Sequence, residues 1–593
     1  MHRRVGCPSD TTTLHKPAAV SAPASAEPSP RPPAQESGTD RLCRIRKQIT
    51  KFTLAVGSGV GVSFVLSACR TWFFQHHEDR HDAPPSTAAR HASAAAPAVG
   101  AGTASAHAGL RTAIVLIAAL LLLTIARLPW SGDLGLHAAT IERLRHDLLS
   151  PGNPMVDANT ASPYYSPWMV LLGALAKLTG LGPFMMLRIS GMVSLVLLCT
   201  GVWQFTRTFT RHRSAPALAI LCLLLLWGPH FVAWSGFLGL GSLALTISYP
   251  STFALALAFH LWSLLTKAVR ARATWSVFLG LGLMWAAILL CHQFSGVVAT
   301  FGALGVLLGA RPWPVRETWL RLSGGLVVGL ALLTAWPYYS FFSLFGTGGL
   351  DGIHRSLYRD LPLRYAFVLI GVVALALRAH RNRRDPLVVF FAFGALVVAA
   401  GAASGHWSWG RVLPAAVIPA QLATALAAVE KGTRFARTIC AGVTGTALLF
   451  GAWTQAGTLG YVVRGDALPK VLERKMLTPW ADYRWITPWV KYGDTVITKN
   501  YFASRMVPAY GAYTVAPGYP DFFLSDERKR RKTVERYFAP GATRADRIDA
   551  LHRYHAKWII QTRSEGGLPE GDQALRETAV GPTGQVLYKV VGR

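Results

Sequence analysis

The strongest constraint on this chain is a series of apolar runs long enough to cross a bilayer. They lie near residues 112–128, 186–206, 216–235, 250–266, 274–291, 295–310, 322–345, 364–377, 386–403, 411–429 and 436–456. A helix rises about 1.5 Å per residue, so roughly 20 apolar residues span the hydrocarbon layer. A soluble chain does not need such runs in this number, and only 15% of the residues are charged. The expected fold class is an α-helical polytopic membrane protein, with these eleven runs as its transmembrane helices.

Lys and Arg in the short loops set the orientation. Five loops are basic: Arg207/Arg211/Arg213, Lys267/Arg270/Arg272, Arg311/Arg316/Arg321, Arg378/Arg381/Arg383/Arg384 and Lys431/Arg434/Arg437. With eleven spans, all sixteen cations fall on one face, which must be cytoplasmic. The opposite, exoplasmic face receives the loop 131–185, the loops at 236–249 and 346–363, and the turn Trp407–Arg411. Residues 166–182 are apolar but short and contain Lys177. Were they a span, every later loop would change sides, so they are expected to lie along the exoplasmic interface.

The chain carries a formal charge of +30, and acids are scarce. Residues 112–456 hold nine, and none sits in the middle of an apolar run. That disfavours a pump or ion-coupled transporter, which usually needs ionisable groups inside the membrane. Seven cysteines show no metal-ligand or CxxC spacing. There is no P-loop, GxGxxG or HExxH, and nucleic acid is not an expected partner. Residues 1–110 read as a disordered, low-complexity tail with a weak apolar segment at 52–69. That segment is a span, an interfacial stretch, or upstream of the natural start. Residues 111–456 form the transmembrane domain. Residues 457–593 are polar, and "DTVITKNY", "QVLYKVV" and "TRADRIDALHRYHAKWIIQT" read as strands and a helix of a small exoplasmic α/β domain.

Four of the nine acids, Asp133, Glu142, Asp147 and Asp157, gather in the first loop. Leu134, Ile141, Leu144 and Leu148 form an apolar stripe at helical spacing, so a helix lying on the membrane is expected. Asp133 leaves the first span directly. A carboxylate at that height suits removal of a proton from an acceptor hydroxyl while a lipid-linked donor presents its sugar alongside. Asp before a helix is also a common N-cap, the plainer alternative. A leaving phosphate needs positive charge, from Arg, Lys or a divalent cation such as Mg or Mn. Exoplasmic cations are few in the spanning region. Arg411, in "SGHWSWGRVLP", is the candidate, against an ordinary interfacial Arg beside Trp.

One span is followed by "GDLGLH", an amphipathic helix, a Pro-Gly turn, "YYSPWMVLLGALAKLTGLGP" and "LRISGMVSLVLLCTGVWQFTR". This order resembles the opening of the GT-C membrane glycosyltransferases, particularly bacterial, actinobacterial-like members. The likeness extends in layout over about residues 110–593 and is specific at 131–207. It implies transfer of a hexosyl or pentosyl group from a polyprenyl-phosphate sugar, at the cell membrane, to an exoplasmic cell-envelope acceptor. By position Asp133 matches the family's first-loop catalytic acid. The loop after the third span often carries a second acid, but here it has none. His230 is its titratable group, and Asp157 is left as a second catalytic carboxylate. His137, His230 and Arg411 are the expected substrate-binding residues, and the cofactor stays open. The alternative is a non-catalytic polytopic protein, such as a transporter or envelope assembly factor.

Overall fold

The computed structural model describes residues 100–344, 351–430, 433–463 and 467–591. The expected tail and its apolar segment at 52–69 lie outside the described residues, save that helix already begins at Gly100. The element order opens with α1 (Gly100–Arg127), α2 (Leu134–His146), α3 (Pro167–Thr179), α4 (Pro183–Arg207), α5 (Ala215–Leu225), α6 (Leu240–Thr246) and α7 (Pro250–Arg270). It continues with α8 (Trp275–Cys291), α9 (Gln293–Leu308), α10 (Arg316–Ala335), α11 (Val368–Arg381), α12 (Pro386–Ser404), α13 (Pro414–Ala427) and α14 (Arg434–Thr454). Several start as the sequence directs. Ser166 and Asp385 accept from Met169 and Leu387 N–H groups, each with Pro at the next position.

Each apolar run of the sequence overlaps one of these helices. Six stretches are long and apolar enough to cross a membrane: Ala108–Arg127, Pro183–Arg207, Pro250–Arg270, Arg316–Ala335, Pro386–Ser404 and Trp407–Ala427. The chain is a multi-pass membrane protein. Shorter apolar helices stand at α5, α8, α9 and Thr438–Thr454, whereas α11 has 14 residues and ends in Arg378, His380 and Arg381. The run 216–235 is helical only to Leu225. There the chain turns aside, with Gly228 against the carbonyl of Leu363.

Packing is close where large rings are sealed in. Trp262 of α7 is fully buried and donates from Nε1 to the Ala299 carbonyl of α9 at 2.8 Å. The basic loops converge at one end. Arg270 donates to the Thr208 carbonyl (3.2 Å), and Arg321 to that of Arg272 (2.9 Å). Arg311 bonds Asn382, and Arg378 pairs with Asp385 (2.8 Å) and Glu430 (2.9 Å). The other end carries the first loop and the C-terminal part.

The C-terminal part holds a five-stranded mixed sheet ordered β2-β1-β3-β5-β4. Its strands are β1 (Thr495–Ile497), β2 (Tyr513–Thr514), β3 (Ala556–Thr562), β4 (Leu575–Val580) and β5 (Gln585–Val590). Three helices accompany them: α15 (Tyr501–Met506), α16 (Glu527–Phe538) and α17 (Arg544–Arg553). The β2 edge is covered by the first loop, since Thr514 N–H donates to the Met155 carbonyl at 2.9 Å.

One expectation for the first loop needs correction. α3 does present Leu171, Leu175 and Leu178 outward, the pattern of an interfacial helix. α2 does not lie on the membrane, because residues Leu134–Leu144 are all buried within the protein. Small residues at Gly135, Ala138 and Ala139 let neighbours close over it. Fully buried Arg143 then ties it to the C-terminal part. Its guanidinium donates to the carbonyls of Gly511 (2.8 Å) and Ala512 (2.5 Å) and stacks 3.6 Å over the Tyr513 ring.

This clamp predicts a stability effect. Gly511 O keeps a second donor, the Gly493 N–H, so Arg143→Met strands mainly the Ala512 carbonyl and loses the ring contact. The expected cost is roughly 1–3 kcal/mol. It should appear as a lower unfolding temperature of the detergent-purified protein. An unchanged midpoint would show that the clamp contributes nothing.

Candidate active site

The site grows from the six residues that follow the first span and its short linker, Gly132-Asp133-Leu134-Gly135-Leu136-His137. Gly132 takes a left-handed conformation (φ +49°), which turns the chain sharply before α2. Its carbonyl accepts from the Tyr519 hydroxyl at 2.6 Å, and the preceding Ser131 carbonyl accepts from the Tyr249 hydroxyl at 2.5 Å. Gly135 is required by close approach, since a Cβ there would sit 2.1 Å from the Arg505 carbonyl oxygen of α15. The motif is thus shaped on both sides by tyrosines and the C-terminal part.

Asp133 occupies the N-cap position of α2, but its side chain makes no cap hydrogen bond. The plainer capping role is therefore not the one it plays. It is half-buried. Burial raises its pKa, and the nearby positive charges of Arg411 and Arg505 pull in the opposite direction. His137 lies one turn on, buried against the ring of Tyr249 at 4.6 Å, with its Nδ1 lacking a partner. Burial brings its pKa down to about 3, so the imidazole is neutral near pH 7.

Arg411 reaches the same place from the turn Trp407–Val412. It donates to the Ser235 carbonyl at 3.1 Å and faces Nε2 of His292 (3.2 Å) and of His354 (3.4 Å). Its guanidinium lies 4.7 Å over Phe294 and 5.7 Å over Trp234. No carboxylate ion-pairs with it among the described residues, and its Nε is buried without a partner. Asp351 fixes this corner by accepting from Ser408 N–H at 2.7 Å, which holds the segment bearing His354 beside the Arg411 turn.

The C-terminal part supplies the other wall. Arg505 is stacked 3.7 Å over Tyr501 and 4.7 Å over Tyr519. Asp521 accepts from Asn153 Nδ2 at 2.7 Å and from Phe523 N–H at 3.0 Å, and burial raises its pKa. The Tyr164 hydroxyl lies within the fields of Asp133, Asp521 and Arg411 together.

Of the residues expected from sequence, Asp133, His137 and Arg411 come together. Asp157 and His230 do not. Asp157 is exposed, and its carbonyl accepts from Arg530 at 3.1 Å. His230 is exposed, and its N–H donates to the Leu363 carbonyl. Sequence reasoning missed Asp521, Arg505 and Tyr519, which stand more than 370 residues beyond Asp133 without any motif. It also passed over His292, which faces Arg411. The signal available was its place in the short turn between two apolar runs.

The donor set around Asp133 does not favour a divalent cation. Beside Asp133 stand the neutral His137, phenols and two guanidiniums, whose charge opposes a metal ion, and Asp521 on the other wall is already engaged by Asn153 and the Phe523 N–H. Among the described residues no group of three His, Cys, Asp or Glu side chains is arranged to hold one.

No family model matches the sequence, and no curated protein matches it. Solved structures do. A variant of the arabinofuranosyltransferase AftD from mycobacteria aligns with a TM-score of 0.51 at 16% identity, over 82% of this chain and 42% of AftD. The chain has the GT-C fold. It spans about two fifths of the length of AftD. ArnT from Cupriavidus metallidurans bound to undecaprenyl phosphate aligns with a TM-score of 0.46 at 15% identity, over 81% of this chain and 98% of ArnT. The Archaeoglobus fulgidus oligosaccharyltransferase gives 0.42 at 13% identity, over 80% and 73%. At these identities the likeness is one of fold, and the GT-C fold leaves the chemistry to the site.

Proposed function

We propose that this protein is a glycosyltransferase that moves a hexosyl or pentosyl group from a polyprenyl-phosphate sugar to an exoplasmic acceptor of the cell envelope. The observation that carries the reading is Asp133: half-buried, uncapped, and set between two guanidiniums with which it forms no ion pair. In the reaction, the carboxylate takes the proton of the acceptor hydroxyl as that oxygen bonds to the anomeric carbon. The bond from that carbon to the phosphate oxygen breaks, and its electron pair leaves with the phosphate. Arg411 stabilises the negative charge on that leaving group.

A lipid-linked donor is supported by an apolar groove among the spans. It is lined on α1, α4 and α5 by residues such as Ile117, Leu121, Leu198 and Leu224, and also by Leu238. Leu238 lies three residues after Ser235, whose carbonyl holds Arg411.

The test is incubation of membranes containing the protein with a panel of polyprenyl-phosphate sugars. Consumption of one donor is expected, and consumption of none would refute the reading. Eleven spans, a cytoplasmic N-terminal tail and an exoplasmic C-terminus belong to the same proposal. Reporter fusions after Arg593 and within Arg378–Arg384 should therefore report opposite faces, and finding them on one face would overturn the sidedness.

A further inference from the structure

The site has two guanidiniums of different origin, whereas a polyprenyl-phosphate donor brings one phosphate. Arg411 is rooted among the apolar helices, beside Phe294 and Ser235. Arg505 is rooted in α15, whose backbone rests on α2 at Gly135, two residues past Asp133. Tyr519 stands beside the same guanidinium and bonds the Gly132 carbonyl next to Asp133.

The Arg505 head is largely spoken for. Tyr501 and Tyr519 lie against it, and Nη1 donates to the Tyr501 carbonyl at 3.2 Å. It forms no ion pair among the described residues. What remains is the edge of the guanidinium, whose N–H groups lie in one plane and suit paired oxygens. Tyr501, over which the guanidinium stacks, and Phe502, whose ring contacts that of Tyr501, are 54% and 42% exposed, and both contact Trp480 edge-on. Exposed rings next to an in-plane donor edge fit the chemistry of a saccharide, which has an apolar face and adjacent hydroxyls.

We propose that Arg505, with Tyr501 and Phe502, forms an acceptor subsite that holds the hydroxyls of a saccharide so that a neighbouring hydroxyl reaches Asp133. The proposal rests on the transferase reading and deepens it. It divides the labour of the cations: Arg411 serves the donor phosphate, and Arg505 serves the acceptor. It also gives the C-terminal part a share in acceptor choice.

Two readouts separate its failure from failure of the transferase reading. The first needs no turnover. Methyl glycosides of tri- and tetrasaccharides (mannose and arabinose series) are titrated against the detergent-purified full chain by ligand-observed NMR. At least one should bind saturably. Arg505→Gln should weaken that Kd about tenfold, the scale of one charge-assisted hydrogen bond, and Arg505→Lys should restore part of it. Unfolding temperatures near that of the parent show that the variants are folded. No binding of any saccharide by the parent, or equal binding by folded Arg505→Gln, would overturn the subsite even if the parent consumes a polyprenyl-phosphate sugar. The second readout is kinetic, with the consumed donor and the bound saccharide. Arg505→Gln should raise the acceptor KM about tenfold and leave the donor KM within about twofold. A rise in donor KM instead would place Arg505 with the leaving phosphate and refute the assignment.

Discussion

Asp133→Asn is expected to lower sugar transfer by about 10²–10⁴-fold, the usual cost of a lost general base, without unfolding the protein. Asparagine keeps the size and capping ability of aspartate but cannot take a proton. Because the Asp133 side chain makes no cap hydrogen bond, the substitution removes no cap. The sign of the stability change follows from the raised pKa. A carboxyl whose folded pKa lies above its unfolded value binds protons more readily in the native state, so its contribution to stability falls as pH rises through that range. The Asn variant is free of that penalty. Its unfolding temperature near pH 7 should equal or exceed that of the parent, as for other residues kept for function at a cost in stability. A large loss of stability with transfer retained would restore the structural reading of Asp133.

The second large effect is expected at Arg411. Arg411→Ala should weaken binding of a polyprenyl-phosphate sugar by about 1.5–3 kcal/mol, the range for a hydrogen bond to a charged group. Arg411→Lys should recover only part, because an ammonium lacks the fork that engages two phosphate oxygens. The variants also differ in pH dependence. The Arg411 charge holds the Asp133 pKa down against burial. Removing it, as in Arg411→Gln, should move the acid limb of the pH–rate profile to higher pH, while Arg411→Lys leaves that limb near its parental place. Unchanged affinity in Arg411→Ala would dissociate this residue from the donor phosphate.

Much of the helical frame was legible because hydropathy is local. A run such as 186–206 has no alternative in lipid but a helix that satisfies its own backbone. Asp133 and Arg411 could be singled out for a related reason. Arg411 stands out as a cation on the cation-poor face, and Asp133 as the acid that leaves the first span directly. The burial of α2 could not be read, since the groups that close over it, the Gly511 and Ala512 carbonyls and the Tyr513 ring, lie about 370 residues downstream. The apolar stripe of α2 was real, but its partner was protein rather than lipid. The same separation hid Arg505, Tyr519 and Asp521. Asp157 shows the converse error, for it shares a loop with Asp133 yet is exposed, with its carbonyl held by Arg530. Proximity in sequence was mistaken there for proximity in space.

The central claim is the reaction itself, and its most direct test is stoichiometry. The full chain is reconstituted into liposomes with the polyprenyl-phosphate sugar it consumes, and free polyprenyl phosphate and glycosylated acceptor are counted in the same sample. Single-displacement transfer with Asp133 as base predicts one polyprenyl phosphate released for each sugar added to the acceptor, and neither product from the Asp133→Asn protein. Liposomes in which no polyprenyl-phosphate sugar is converted, or in which Asp133→Asn converts it as fast as the parent, would contradict the account.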